Sequence, residues 1–252
     1  MVTFVGAGSG AADLITVRGA RLLGQADVIV YAGSLVNPEL LQLAKPGCRV
    51  YDSARMTLEE VLDVMVPAAR AGQAVVRLHT GDPSLYGAIR EQMDALDAAG
   101  VAYEVVPGVS SFCGAAAALK AEYTLPDVSQ TVIITRMAGR TPVPEREQLR
   151  SLAAHGSTMV LFLSSGLIPQ VVEELLAGGA YTADTPAAIV YKATWPDEAV
   201  YRCTVGTLAE TAERYRITRT ALITVGGFLG GTYERSKLYD PGFATGYREA
   251  SR

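Results

Sequence analysis

Small residues at two strand ends are the first candidates for chemistry. A short apolar run, Ala74-Val75-Val76-Arg77-Leu78, opens into His79-Thr80-Gly81-Asp82-Pro83-Ser84-Leu85-Tyr86-Gly87, and a second run ends in Val106-Pro107-Gly108-Val109-Ser110-Ser111. In an open α/β sheet, ligands sit beyond the carboxyl ends of strands, and glycine turns there let backbone amides come close. The two turns are placed to face one ligand. Asp82 before a proline suits an Asx-type turn that caps a helix, a common structural role for this residue type. A functional role is compatible with it: backbone groups of Thr80, Gly81 and Asp82 cradle a polar ligand, and Leu85 and Tyr86 supply its apolar wall.

A third turn, Gly6-Ala7-Gly8-Ser9-Gly10-Ala11, follows a strand and matches the G-x-G-x-x-A pattern of dinucleotide sites. Such a site needs a helix that starts inside the loop and a carboxylate about twenty residues on, at the end of the second strand. Here Leu14-Ile15-Thr16 intervene before a helix that Thr16 would cap, and the second strand ends in Tyr31-Ala32-Gly33 without an acid. NAD(P) or FAD is therefore disfavoured. His79 and His155 share no ligand spacing with each other or with Cys48, Cys113 and Cys203, so no metal site is expected, and His79 reads as a structural histidine. No G-x-S-x-G elbow is present, which removes the usual hydrolase triad.

Charged groups are sparse but placed at strand ends. The loop Thr135-Arg136-Met137-Ala138-Gly139-Arg140-Thr141-Pro142-Val143-Pro144-Glu145 carries two arginines. A solvated loop would explain them, yet guanidinium groups hold carboxylates bidentately, which points to an acidic substrate. Lys192 and Trp195, in Tyr191-Lys192-Ala193-Thr194-Trp195-Pro196-Asp197-Glu198, occupy the matching end of a later strand.

The elements that must position these groups alternate. Strands over residues 2–6, 27–31, 49–52, 74–78 and 102–106 are separated by helical patterns over 16–24, 38–43, 57–71, 86–98 and 111–120, as in βα units of a mainly parallel sheet. The pattern over 57–71 is the clearest: Thr57 and Glu60 form a capping box, and Leu58, Val61, Leu62 and Met65 recur at helical spacing. Residues 121–128 break the alternation and read as a linker. Beyond it, strands over 131–135, 158–163, 187–191, 200–205 and 221–225 and helices near 145–154, 168–177 and 207–214 describe a second α/β domain. The short gap between its third and fourth strands predicts an antiparallel pair, hence a mixed sheet. The expected division is 1–120, linker 121–128 and 129–252, with an extended tail from 230 that lies over the surface or an oligomer partner.

Composition bounds the rest. The 252 residues are 49% hydrophobic, with mean hydropathy +0.21, and no apolar run approaches the roughly 18 residues of a membrane span. The amino terminus shows no export signal and the three cysteines are odd in number and far apart, so a cytoplasmic location with reduced thiols is expected. A net charge of −4 without a basic cluster argues against nucleic acid.

These residues, taken together, resemble the tetrapyrrole methyltransferase family. The resemblance runs from Val2 to about Gly227. It rests on the first glycine loop with Asp13-Leu14-Ile15-Thr16, the Gly81-Asp82-Pro83 turn, the Val106-Pro107-Gly108-Val109-Ser110-Ser111 turn and the Ala221-Leu222-Ile223 strand. Tyr31-Ala32-Gly33-Ser34-Leu35-Val36, Thr141-Pro142-Val143-Pro144-Glu145 and Lys192-Ala193-Thr194-Trp195-Pro196-Asp197-Glu198 are similar to the branch that methylates precorrin-4 at C11 in cobalamin biosynthesis, with cobalt-precorrin-4 as the alternative substrate.

The resemblance implies two α/β domains with S-adenosyl-L-methionine in the cleft between them, a homodimer, and no single indispensable acid or base. It carries cofactor contacts onto Thr80, Gly81, Asp82, Leu85, Tyr86, Ser110, Ser111, Leu163, Ser164, Ala193 and Ala221. Substrate contacts fall on Gly8, Ser9, Arg136, Arg140 and Lys192. The chain departs from the family's Gly-Pro-Gly-Asp-Pro loop, where Ser9, Ala11 and Ala12 stand, and from relatives with an acid near the end of strand two, where Ala32 and Gly33 stand. More distant alternatives are a same-fold RNA or protein methyltransferase, an NAD(P)-dependent oxidoreductase, or a cofactor-binding protein without catalysis.

Overall fold

Five short, valine-rich runs build the first sheet: β1 (Val2–Gly6), β2 (Val28–Tyr31), β3 (Arg49–Asp52), β4 (Val75–His79) and β5 (Tyr103–Val106). They lie in the order β3-β2-β4-β1-β5, every pair parallel, in a computed structural model that describes residues 1–251. Side chains alternate between the two faces, and both faces of a parallel sheet are covered. Phe4, Val28, Val30 and Val75 pack with Val61, Met65 and Leu96 on one side. Val5, Ile29, Val76 and Leu78 pack with Leu23 and Leu40 on the other.

Four helices supply those covers. α1 (Val17–Gln25) is capped by Thr16, whose hydroxyl accepts from Gly19 N. α2 (Leu58–Arg70) begins in the predicted capping box, Glu60 N donating to Thr57 Oγ1 at 3.3 Å and Thr57 N to Glu60 Oε2 at 2.7 Å. α3 (Ile89–Ala98) starts three residues later than its pattern suggests, because Tyr86 and Ala88 take left-handed φ angles of 56° and 49°. α4 (Ser111–Leu119) follows β5.

The second sheet is mixed, as expected. β6 (Val132–Arg136), β7 (Thr158–Phe162), β8 (Pro186–Tyr191), β9 (Ala199–Thr204) and β10 (Ala221–Val225) lie in the order β6-β7-β10-β8-β9. β6 and β7 are parallel; the remaining pairs, β8 with β9 included, are antiparallel. α5 (Leu149–Ala153), α6 (Ile168–Ala177) and α7 (Leu208–Arg214) place Leu149, Ile168, Leu175 and Leu208 against Met159, Leu161, Ile189 and Ile223. The single helix expected over 145–154 is instead a turn at Glu145–Glu147 and then α5, since Gln148 is extended with ψ 144°. Over residues 231–251 the chain is almost wholly exposed, with a short 3-10 helix at Lys237–Tyr239.

The division of the chain differs from the expected one in two ways. One unit comprises Met1–Ala115 with Lys192–Glu198, and the other Ala116–Tyr191 with the chain from Ala199 onward. Residues 121–128 are therefore part of the second unit and not a linker. Tyr123 is buried there, edge-on to Phe228 at 5.0 Å, and its carbonyl accepts from Thr158 Oγ1 at 2.8 Å. Among the described residues no helix is long and apolar enough to cross a membrane.

Candidate functional site

β1 and β4 are neighbours, yet the chain leaves β1 toward β2 and β4 toward β5, on opposite sides, which makes a topological switch point. The loops leaving it are joined through backbone. Gly81 N donates to Gly8 O at 2.8 Å, Gly8 N to Gly81 O at 3.3 Å, and Ala7 N to His79 O at 2.7 Å. The third loop closes on them so tightly that a Cβ on Gly108 would stand 2.2 Å from Gly81 O and 2.7 Å from Gly6 Cα. Gly81 itself has φ 59°, which favours glycine, and lies against the start of α4.

Asp82 is the side chain that ties the two opening turns. Its Oδ1 accepts from Ser84 N at 2.8 Å and from the Ser84 hydroxyl, and its Oδ2 accepts from Gly108 N at 2.8 Å. Burial pushes this carboxyl up, but the Ser84 hydroxyl and the amides of Gly108 and Ser84 outweigh it and hold it below the usual carboxylate range. It is an anionic brace. At the start of α4, Cys113 N and Gly114 N both return to Ser110 O, so the amides of Ser110 and Ser111 come before the first intrahelical bond and point outward from the helix end. Thr80 Oγ1 donates to Leu35 O at 3.3 Å, Leu85 is half-buried, and Tyr86 is 44% exposed.

The glycine loop that imitates a dinucleotide motif has a different partner. Within the first unit, Ser9 Oγ and Thr194 Oγ1 are 3.1 Å apart, Ala11 N donates to Thr194 Oγ1 at 3.0 Å, and Asn37 Nδ2 donates to Gly10 O at 3.0 Å. A Cβ on Gly10 would stand 2.2 Å from the Trp195 indole and 2.8 Å from Ala193 O. The clasping segment is itself strained, with Lys192 at φ 45° and Thr194 at φ 69°. Glu198 holds Thr194 N at 2.6 Å, and Lys192 pairs with Asp197 at 2.6 Å, 5.8 Å from the Trp195 ring centre. Sequence reasoning missed Asn37, whose only signal was its position before Pro38. It also missed Asp52: the acid absent from strand two is replaced in space from β3, where Asp52 Oδ1 accepts from Gly33 N at 3.1 Å and leaves no room for a Cβ on Gly33.

The remaining candidates lie at the ends of strands in the second sheet, after β6 and β7 and at the start of β10. Arg136 ends β6, and its guanidinium donates to the carbonyls of Thr141 at 3.1 Å and Pro142 at 2.7 Å, so it shapes its own loop; Arg140 is exposed on that loop. Ser164 is buried, accepting from Met137 N at 2.8 Å and donating to Phe162 O at 2.7 Å. Leu163 stands out at φ 52° and 65% exposed. Extending the β10–β7 register by two residues sets Ala221 opposite it. Among the described residues no group of three His, Cys, Asp or Glu side chains is placed to hold a metal ion.

A parallel five-stranded unit with interlocked glycine turns at its switch point, followed by a mixed five-stranded unit, defines a two-unit α/β protein. The sequence matches the family described as Tetrapyrrole (Corrin/Porphyrin) Methylases over residues 1–209, and the chain belongs to that family. It is 53% identical to the cobalt-precorrin-4 C(11)-methyltransferase of Methanocaldococcus jannaschii, covering 100% of this chain and 97% of that one. A solved cobalt precorrin-4 methyltransferase of cobalamin biosynthesis superimposes with a TM-score of 0.89 at 50% identity, covering 91% and 96% of the two chains. The uroporphyrin-III C-methyl transferase of Thermus thermophilus, solved in complex with S-adenosyl homocysteine, gives 0.76 at 30% identity, covering 90% and 98%.

Proposed function

We propose that this chain transfers a methyl group from S-adenosyl-L-methionine to C11 of a precorrin-4 macrocycle. The observation that carries the reading is the cluster of three interlocked turns, together with the chain's likeness to methyltransferases of this kind over its whole length. The cluster fits the cofactor: outward amides at Ser110 and Ser111 suit a carboxylate, the Thr80–Asp82 backbone suits polar groups, and Leu85 and Tyr86 suit an apolar ring. Ala193 belongs to the same unit as these turns; Leu163, Ser164 and Ala221 are cofactor contacts only as the family resemblance assigns them. With the Ser164 hydroxyl already engaged, that residue contributes backbone.

The bound sulfonium supplies an electrophilic methyl group. What remains for the chain is to hold a ring carbon in line with it, and alignment alone supplies a large part of the barrier reduction. Asp82 is committed as a brace, its oxygens accepting from Ser84 and Gly108, and the reading needs no further acid or base from the turn cluster. The family resemblance gives Gly8, Ser9 and Lys192 of the first unit, and Arg136 and Arg140 of the second, as substrate contacts, the cationic ones suited to the macrocycle's acidic arms. The protein works as a cytoplasmic homodimer, which sedimentation at micromolar concentration checks.

The decisive experiment supplies methyl-labelled S-adenosyl-L-methionine with precorrin-4, in cobalt-containing and metal-free forms, and locates the label by carbon NMR. Label at C11 is expected. Label at another ring carbon would overturn the branch while sparing the family, and no transfer to either form would overturn the reading.

A further inference from the structure

Arg77 and His79 lie on the same face of β4 and are almost completely buried, at 6% and 4% exposure. Arg77 Nε donates to Gln92 Oε1 at 3.0 Å and Nη1 to Val30 O at 3.2 Å. Both partners are neutral, and among the described residues no carboxylate lies within 4.0 Å of the guanidinium. Burial lowers the Arg77 pKa only to about 10, so the group is a cation at neutral pH. His79 is held to about 3 by burial and then by the charge of Arg77, so its imidazole is neutral; its Nε2 is buried without a hydrogen-bond partner. A buried cation with no counter-charge and an unspent ring nitrogen are both costly in a folded protein.

Both side chains line a cavity of about 320 Å³ in the first unit, beyond the carboxyl ends of β2, β3 and β4. Gln92 joins them there, while Leu35, Met56 and Leu85 make apolar wall. Glu91 stands exposed beside it without pairing to Arg77. Positive charge next to apolar wall matches a carboxylate on a short hydrocarbon stem.

Resting on the tetrapyrrole reading above, we propose that this cavity seats one carboxylate arm of the macrocycle, with the arm's carboxylate on the Arg77 guanidinium and its methylenes against Leu35, Met56 and Leu85. The cavity shares Thr80, Leu85 and Tyr86 with the turn assigned to the cofactor. An arm held here anchors the ring beside that turn and contributes to substrate binding.

Two variants test it. Arg77→Gln removes the charge, and Leu35→Trp narrows the cavity from a half-exposed position while leaving Arg77 in place. In steady-state assays with precorrin-4, Arg77→Gln raises KM at least tenfold and Leu35→Trp at least fivefold. In both, kcat stays within threefold, and the Kd for S-adenosylhomocysteine by calorimetry stays within twofold. Arg77→Lys recovers part of the loss. KM within twofold of wild type in the folded variants overturns the proposal; so does a loss of S-adenosylhomocysteine affinity parallel to KM, which would assign the cavity to the cofactor. If Arg77→Gln does not fold, Leu35→Trp decides alone. Wild-type protein that fails to methylate precorrin-4 strikes at the functional reading itself, and this proposal falls with it.

Discussion

Two regions of the first unit, sharing the turn after β4, are built on opposite principles. In the cluster of turns at residues 6–10, 81–82 and 108–111, glycines let backbone meet backbone, and the one charged side chain, Asp82, has its acceptors filled from within. At the cavity, Arg77 and His79 stand on ordinary strand, and it is their side chains that keep unspent capacity. A site made of backbone holds its geometry because the groups that form it have no rotamers to leave by and are hydrogen-bonded to one another. A site made of buried charge is unsatisfied until a ligand arrives, so it is costly to keep and selective in what it accepts. Under the proposed function, the contrast gives shape-based holding of a constant cofactor to the turns and charge-based choice of a variable substrate to the cavity.

The largest way to break this contrast is to add one carbon to the turns. In Gly108→Ala the new Cβ meets the backbone oxygen of Gly81, which has no rotamer to escape through. A loss of about 3 kcal/mol in unfolding free energy is expected, with S-adenosylhomocysteine binding falling along with it. Chemical denaturation and calorimetry on one preparation check this; retention of both would mean that the turns are not rigid. Asp82→Asn acts on the same region more gently. The amide keeps the shape but has half the acceptors and no charge, so about 2–3 kcal/mol is expected, again with weaker cofactor binding.

How much of this was legible in the sequence follows the same line. Turns announce themselves, because a glycine after a strand is a local signal, and the three loops, the ten strands and the Thr57–Glu60 capping box all stand where patterns place them. Helix starts were less legible. Gly87 sits so close to Pro83 O that a Cβ would stand 2.2 Å from it, and this tight passage delays α3 to Ile89. The grouping of Lys192–Glu198 with the first unit was illegible, since contacts such as Ser9 with Thr194 join residues 185 apart and leave no periodicity. The cavity was the least legible. In sequence Arg77 is a polar interruption of an apolar strand, and nothing local says whether such a residue reaches water or is shut in without a counter-charge.

The cavity side of the contrast can be read by acid. His79 is neutral in the fold, with its pKa depressed from 6.5 to about 3, whereas the unfolded chain protonates it normally. The stability this contributes is complete above pH 6.5 and is lost as pH falls from there toward 3, because only the unfolded chain takes up the proton. By pH 5 the loss attributable to this one ring is about 2 kcal/mol. Other groups titrate alike in wild type and in His79→Gln, so the difference between their stability profiles isolates it. A variant that loses stability as steeply as wild type between pH 6.5 and 5 would show that the ring is hydrated.

The smallest effect is expected where a guanidinium is already occupied. Arg136 resembles Arg77 as a cation on a strand, but its donors reach the carbonyls of Thr141 and Pro142, and it is only partly buried. A carboxylate binding to it must compete with those bonds and with water, so its net contribution is that of a surface pair, about 1 kcal/mol or less. Arg136→Ala is therefore expected to raise KM for the tetrapyrrole up to about fivefold, with S-adenosylhomocysteine affinity nearly intact. Steady-state kinetics on Arg136→Ala beside Arg77→Gln measures the difference directly. If the loop arginine proves the more damaging loss, selection of the macrocycle resides in the second unit and the division of labour within the first has been drawn in the wrong place.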